Sequence, residues 1–333
     1  MEVRKVQITG GSTLTVSLPK EWATDSGIEA GSELAFFPEG ETLIATPSRI
    51  DDEGSARIDA AGLDPRELTS RLVTLYVNGF SEVVVEADSI GAEQRRAARR
   101  AADRLVGFEV SAETESEVVL RDFLDPAELS VHDTVMQMRL LALSMLEDAM
   151  AALLEGDDDR AADVIERDDD VDRLWYVVSR LFRNVLRDPR SAATVGLGRE
   201  ACFDYRSSAR QIERVADHAV KIAAHARELE RLPEPVREPL AALEAESRGI
   251  VEDALDAFLV DDGKRATELA TGVLARTERI DERAGTIDDR LRGVEPSDAQ
   301  LLGLIVDSLS RIGDYGGNVA ETALQRAAPS PRE

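Results

Sequence analysis

From about residue 127 to 327, apolar residues recur at three- and four-residue intervals, the period of an amphipathic helix. Breaks near Gly156-Asp157, Asp188-Pro189, Leu232-Pro233, Asp262-Gly263 and Val294-Glu295-Pro296 cut this stretch into six long helices, in two sets of three. In VHDTVMQMRLLALSMLEDAMAALL the residues Val135, Met138, Leu141, Ala142, Met145 and Ala149 form one stripe, which predicts a bundle helix with its methionines in the core. Residues 1–48 alternate instead with a period of two. VRKVQIT, a turn at Gly10-Gly11 and STLTVSLP predict one hairpin. ELAFFPE, a turn at Glu39-Gly40 and TLIATP predict a second, and Pro19 opens a short helix, KEWATDSG, between them. Two hairpins and one helical turn make too little core to stand alone, so strand exchange into a homodimer is expected. Between these regions, residues 50–125 predict a small α/β domain. PRELTSRLVTLYVNGF and GAEQRRAARRAADRLV read as helices, the latter with Ala98, Ala102, Leu105 and Val106 inward. SEVVVEA reads as a strand and FEVSAETESEVVL as a second strand or a hairpin.

The fold class is therefore mixed, with all-α repeats at 127–231 and 233–327. Composition adds three exclusions. No apolar run approaches the roughly 20 residues of a membrane span, and MEVRKVQITGG lacks the apolar stretch of a signal peptide, so a cytoplasmic protein without membrane insertion is expected. Cys202 is the only cysteine, which rules out an intrachain disulfide and a thiolate metal site. The 66 Asp and Glu outnumber the 40 Lys and Arg, for a net charge of −26, and lysine stands only at positions 5, 20, 221 and 264. Such a surface suits a halophilic source and argues against broad nonspecific nucleic-acid binding.

Within the helices one phrase occurs twice: ERVADHAVKIA near Glu213 and SRIGDYGGNVA near Ser310. The helix before each carries an acid-x-x-acid pair, Asp169 with Asp172 in VIERDDDVDRL and Glu278 with Asp281 in RTERIDERAGTID. A match in two separate helices predicts a duplicated three-helix unit. Positions i, i+4 and i+8 drift only about 80° around a helix, so Glu213, Asp217 and Lys221 make one ridge, and Ser310, Asp314 and Asn318 another. If the helices of one set are antiparallel neighbours, acidic ridges oppose one another and require a positive counterpart. Oxygen ligands of this kind suit hard or borderline cations such as Mg, Mn, Fe or Zn.

The repeated phrase resembles the signature helix of the PhoU family of phosphate-uptake regulators, whose pattern runs Glu-x-x-x-Asp-x-x-x-Asn. The resemblance implies two tandem three-helix bundles and metal ions on the acidic stripes. The implied ligands are Asp169, Asp172, Glu213 and Asp217 in the first half, and Glu278, Asp281, Asp314 and Asn318 in the second. Lys221 stands where the family has Asn, and Ser310 where it has Glu. Lys221 is expected to reach back to Asp217 as a built-in cation; otherwise Lys221, Arg214 and Arg311 satisfy the ionic stripes. His218, turned away from Asp217, is expected to be partly exposed.

The run Thr-Val-Ser-Leu-Pro-Lys-Glu-Trp followed by Gly-x-x-x-Gly-Ser-Glu-Leu resembles the swapped-hairpin AbrB/SpoVT family, many of whose members are dimeric DNA binders. The combination with a PhoU-like region resembles archaeal regulators. Arg4, Lys5 and Lys20 are the DNA-contact candidates, three cations against seven carboxylates through Pro47. A second basic cluster, Arg95, Arg96, Arg99, Arg100 and Arg104, is expected to be a solvated face balanced by nearby acids, or else to meet an anionic partner. No phosphate loop, nucleophile elbow or His-Glu-x-x-His occurs, which argues against an enzyme. The resemblances imply a regulator, of negative sign, of phosphate uptake and homeostasis, binding DNA through its N-terminal dimer. A phosphate transporter's ATPase subunit or another signalling protein is the implied partner. The competing expectation is an adaptor whose N-terminal domain serves only dimerisation.

Overall fold

The computed structural model describes residues 2–48, 54–124 and 129–329. The chain divides into two compact units, Met1–Glu53 and Gly54–Glu333. The expected boundaries near 50 and 125–127 fall outside the described residues.

The first unit holds both expected hairpins. β1 (Gln7–Thr9) pairs antiparallel with β2 (Thr13–Thr15) around Gly10 and Gly11, whose φ angles of 64° and 89° favour glycine. After α1 (Lys20–Asp25), β3 (Leu34–Glu39) pairs with β4 (Thr42–Pro47). No described residue of this unit is buried. Val3, Val6, Ile8, Leu14, Val16, Phe36 and Leu43 are all exposed.

In the second unit, a four-stranded sheet of order β5-β6-β8-β7 carries two helices. β5 (Ser55–Asp59), α2 (Pro65–Val77) and β6 (Glu82–Glu86) form a parallel crossover. α3 (Ala92–Asp103) then leads into the antiparallel pair β7 (Phe108–Glu113) and β8 (Glu117–Asp122). Ala98, Ala102 and Leu105 are buried as expected, in a core shared with Leu68, Leu72, Tyr76, Val83 and Val85. β5 is an addition to the expected strands.

The remaining chain is helical. α4 (Val131–Glu155), α5 (Asp158–Glu166), α6 (Asp168–Arg187), the short α7 (Pro189–Val195) and α8 (Arg199–Glu228) form the first set. α9 (Glu234–Leu259), α10 (Gly263–Thr277), α11 (Ile280–Leu291) and α12 (Pro296–Ala327) form the second. The expected breaks are all present. Beyond them, the middle helix of each set is broken again, at Arg167, two residues before Asp169, and at Glu278-Arg279, on the first acid of its pair. A break in the corresponding helix of both sets is in keeping with duplication. A single hydrophobic core runs through both sets, from Val131 to Ala323, with Val135, Met138, Ala142, Met145 and Ala149 inside and Leu141 packed at its edge.

α12 lies close against α9 at Gly316 and close against Thr277 of α10 at Gly317. A Cβ at Gly316 would stand 2.7 Å from Ile250 Cγ2 and 3.1 Å from backbone atoms of α9. The α/β layer is fastened to α6 by Arg180, which is 6% exposed. Its guanidinium donates to the Tyr76 carbonyl, to the Phe80 carbonyl at 3.0 Å and to Asp122 at 2.5 Å, and its Cζ lies 4.7 Å from the Tyr76 ring centroid. A buried arginine needs such a full set of partners, since its charge cannot be shed.

Candidate functional site

The acidic ridges face one another in both halves. In the first, α6 packs on α8 and brings Asp168 and Asp172 toward Glu213 and Asp217. Glu213 is 7% exposed, and its Oε2 is buried without a hydrogen-bond partner, while Arg210 engages Oε1. Burial, then the Asp217 carboxylate, pushes Glu213 up to about 7. Burial, then Asp172 and Asp217, pushes Asp168 up to about 6. Burial also raises Asp172, against the hydrogen bond from Tyr176 Oη at 3.1 Å and the charge of Arg104. These carboxylates crowd one another in a partly dry setting, the condition under which carboxyl groups hold their protons.

The cation that reaches this ridge is not the expected one. Lys221 is exposed and makes no ion pair with Asp217; its Nζ lies 3.5 Å from His218 Nε2. Arg104, at the end of α3, instead meets Asp169 at 2.5 Å and Asp172 at 3.3 Å. The α/β layer thus supplies a counter-charge to the α6 acids, beside the Arg210 that α8 itself supplies to Glu213. Sequence reasoning placed Arg104 in a basic cluster, but nothing in the spacing joins it to acids 65 and more positions away. The expectation of a partly exposed His218 is also corrected. It is 8% exposed and sits between α8 and α12, with Tyr315 Oη 3.2 Å from its Nε2. Burial, then Lys221, lowers it to about 4, so the ring is neutral at pH 7. A neutral ring can accept at Nε2, which the burial of a charged one would forbid.

The second ridge is wetter. Glu278, Asp281, Asp314 and Asn318 are exposed. Burial raises Asp314, against Arg311, with Asp281 and Asp307 adding to the rise. Arg311 lies 3.7 Å from Asp314 and 3.8 Å from Asp307. Asn318 donates to Gln211 Oε1 at 3.2 Å, a contact between α12 and α8. Arg214 lies over the Tyr315 ring rather than on an acid. Among the described residues, no three His, Cys, Asp or Glu side chains are arranged as they stand to hold one metal ion. In the first unit, Lys5 and Lys20 are exposed, and Arg4 pairs with Glu2 at 2.6 Å. Among the described residues, no helix is long and apolar enough to cross a membrane.

The chain is similar to known proteins in sequence and fold. Residues 135–226 match the PhoU domain, and residues 7–52 match the family described as antidote-toxin recognition MazE, bacterial antitoxin. A phosphate-specific transport system accessory protein PhoU homolog of Caulobacter vibrioides is 27% identical over 203 residues, spanning 56% of this chain and 82% of the relative. One from Pseudomonas putida is 27% identical over 210 residues, spanning 60% and 78%. The crystal structure of PhoU from Pseudomonas aeruginosa superposes with a TM-score of 0.52 at 25% identity, over 60% of this chain and 96% of that one. The helical part of this chain is thus similar to PhoU proteins, its first half matching the PhoU domain, and it is preceded by a unit similar to the MazE family.

Proposed function

We propose that the chain is a non-enzymatic regulator of phosphate uptake whose helical repeat responds to a cation or a protein partner, and whose N-terminal unit dimerises and contacts DNA. The observation that carries the reading is the PhoU-type repeat with its opposed acidic ridges, since the matched relatives are named as accessory proteins of phosphate-specific transport. The natural partner is then a component of a phosphate transporter.

The first ridge fits a hard divalent cation by its donor set. Asp172, Glu213 and Asp217, with Asp168 beside them, offer carboxylate oxygens, and the buried Glu213 Oε2 has no other partner. A bound cation would supply the charge that lets these groups ionise together. Side-chain rotations would be needed to bring three of them onto one ion. The second set, Glu278, Asp281, Asp314 and Asn318, offers a weaker site, because Arg311 and Gln211 already engage two of its members.

For the N-terminal unit, the exposed apolar side chains of two hairpins without a buried residue support a homodimer. Lys5 and Lys20, with Arg4, would meet phosphates across its paired faces. The adaptor reading draws on the shortage of cations: three against seven carboxylates, with Arg4 already held by Glu2. Mobility shift on the chain's own upstream DNA across a range of salt separates the two. DNA binding that is lost in Lys5→Glu with Lys20→Glu supports the regulator, whereas no binding by the wild type at any salt leaves the adaptor. Phosphate uptake by cells lacking the chain tests the shared part of both readings: uptake that no longer responds to phosphate supply is expected, and an unchanged response refutes both.

A further inference from the structure

The basic cluster on α3 does not act as one face. Arg95 and Arg99 are held by Glu113, and Arg96 by Glu93. Arg100 and Arg104 turn instead toward a cleft of about 470 Å³ between α2, α3 and α6. Arg66, Ser70 and Val73 line its α2 side, at the three- and four-residue spacing of one helix face, and Tyr176 contributes from α6. Among the described residues, no Asp or Glu lines the cleft, although acids outnumber bases 66 to 40 in the chain. Among the described residues, neither Arg66 nor Arg100 has a carboxylate within 4.0 Å. Arg104 has its structural partners in Asp169 and Asp172, but Arg66 and Arg100 beside the same concavity, in so acidic a protein, are a charge arrangement that folding alone does not call for.

We propose that this cleft binds a phosphate monoester of a small organic molecule, its phosphoryl oxygens held by Arg66, Arg100 and Arg104. Guanidinium forks match phosphoryl oxygens two at a time, and Arg66 and Arg100 are left without a carboxylate here, while Arg104 is shared with Asp169 and Asp172. The volume lies within the roughly 300–1,000 Å³ of small-molecule sites, larger than bare phosphate requires. Val73 and the Tyr176 ring provide apolar surface for the organic part. Arg104 and Tyr176 belong to both places: they line the cleft and also bond Asp172 on the acidic ridge. An anion in the cleft competes with Asp169 and Asp172 for Arg104. Ligand in the cleft and cation on the ridge then favour each other, because the ridge loses its internal counter-charge when the cleft fills.

The test is calorimetric titration of the full chain at fixed ionic strength with adenosine 5′-monophosphate, ribose 5-phosphate and orthophosphate. Saturable binding of at least one ester is expected, tighter than that of orthophosphate. The pair Arg66→Ser with Arg100→Ser should weaken ester binding about tenfold or more, as loss of charge-assisted hydrogen bonds does. Arg66→Lys with Arg100→Lys, which keeps the charge should the serine pair fail to fold, should fall between that pair and the wild type. Asp169→Asn with Asp172→Asn, which together release Arg104, should tighten binding severalfold. No saturable binding of either ester, ester affinity unchanged by the serine pair, or orthophosphate binding as tightly as both esters would each overturn the proposal.

Discussion

Glu213→Gln isolates the cost of the first acidic ridge. The carboxyl is 7% exposed and is pushed up to about 7 from an ordinary value of 4.5. A group whose folded pKa lies above its unfolded one holds more protons in the folded state. Its stabilising contribution is complete below about pH 4.5 and is lost as pH rises through 7. At pH 8, ionised Glu213 therefore costs about 3 kcal/mol relative to its neutral form, taking about 1.4 kcal/mol per pKa unit. Gln has nearly the same shape and no charge. It forfeits the pairing with partly exposed Arg210, worth up to about 1 kcal/mol. The variant should thus be about 2–3 kcal/mol more stable than the wild type at pH 8, less than about 1 kcal/mol more stable at pH 5, and equal or slightly less stable at pH 4. Urea unfolding at each pH, with a chelator present, gives these differences. His218 titrates with the opposite sign over part of this range, being lowered to about 4. It is unchanged in the variant, so it cancels in the difference. A variant no more stable than the wild type at pH 8, or one whose gain is the same at every pH, refutes the ridge as a site of crowded, dehydrated carboxylates. Added Mg²⁺ or Mn²⁺ should stabilise the wild type and have less effect on the variant.

Other perturbations reach different parts of the structure. Arg180→Met strips three acceptors of their donor and leaves Asp122, 12% exposed, without its partner; a loss of about 3–5 kcal/mol is expected in urea unfolding. Gly316→Ala forces a methyl against Ile250 and the α9 backbone, so thermal unfolding should register a loss of about 1–3 kcal/mol. The net charge of −26 opposes compaction at low salt; raising KCl from 0.1 to 2 M should raise Tm, and a flat or falling Tm would remove the grounds for reading the composition as halophilic.

Much of the fold is legible in local pattern. Proline and glycine at 156, 189, 233, 263 and 296 mark helix ends because they act on the backbone within a turn or two. The breaks at Arg167 and Glu278-Arg279 carry no such residue, and neither helix pattern betrays them. β5 escapes notice because SARID has only Ala56 and Ile58 as apolar positions; its place depends on a parallel partner more than twenty residues on. The site divides in the same way. Helical spacing puts Glu213 and Asp217 on one ridge, but the identity of the counter-charge is decided by packing between layers. Arg104 reaches Asp169 only after the α/β layer docks on α6, and Lys221, the neighbour suggested by spacing, points elsewhere. His218 looks exposed by residue type, and is buried because α12 passes over it.

All described residues of the N-terminal unit are at least partly open to solvent, apolar ones included, and on the proposed homodimer its shape would depend on meeting another molecule of the same kind. At low abundance the shaped form grows with the square of chain number; at high abundance it grows only in proportion. On that proposal gene dosage would become an input, and a modest rise in expression near the threshold would change the output more steeply than the change in copy number itself.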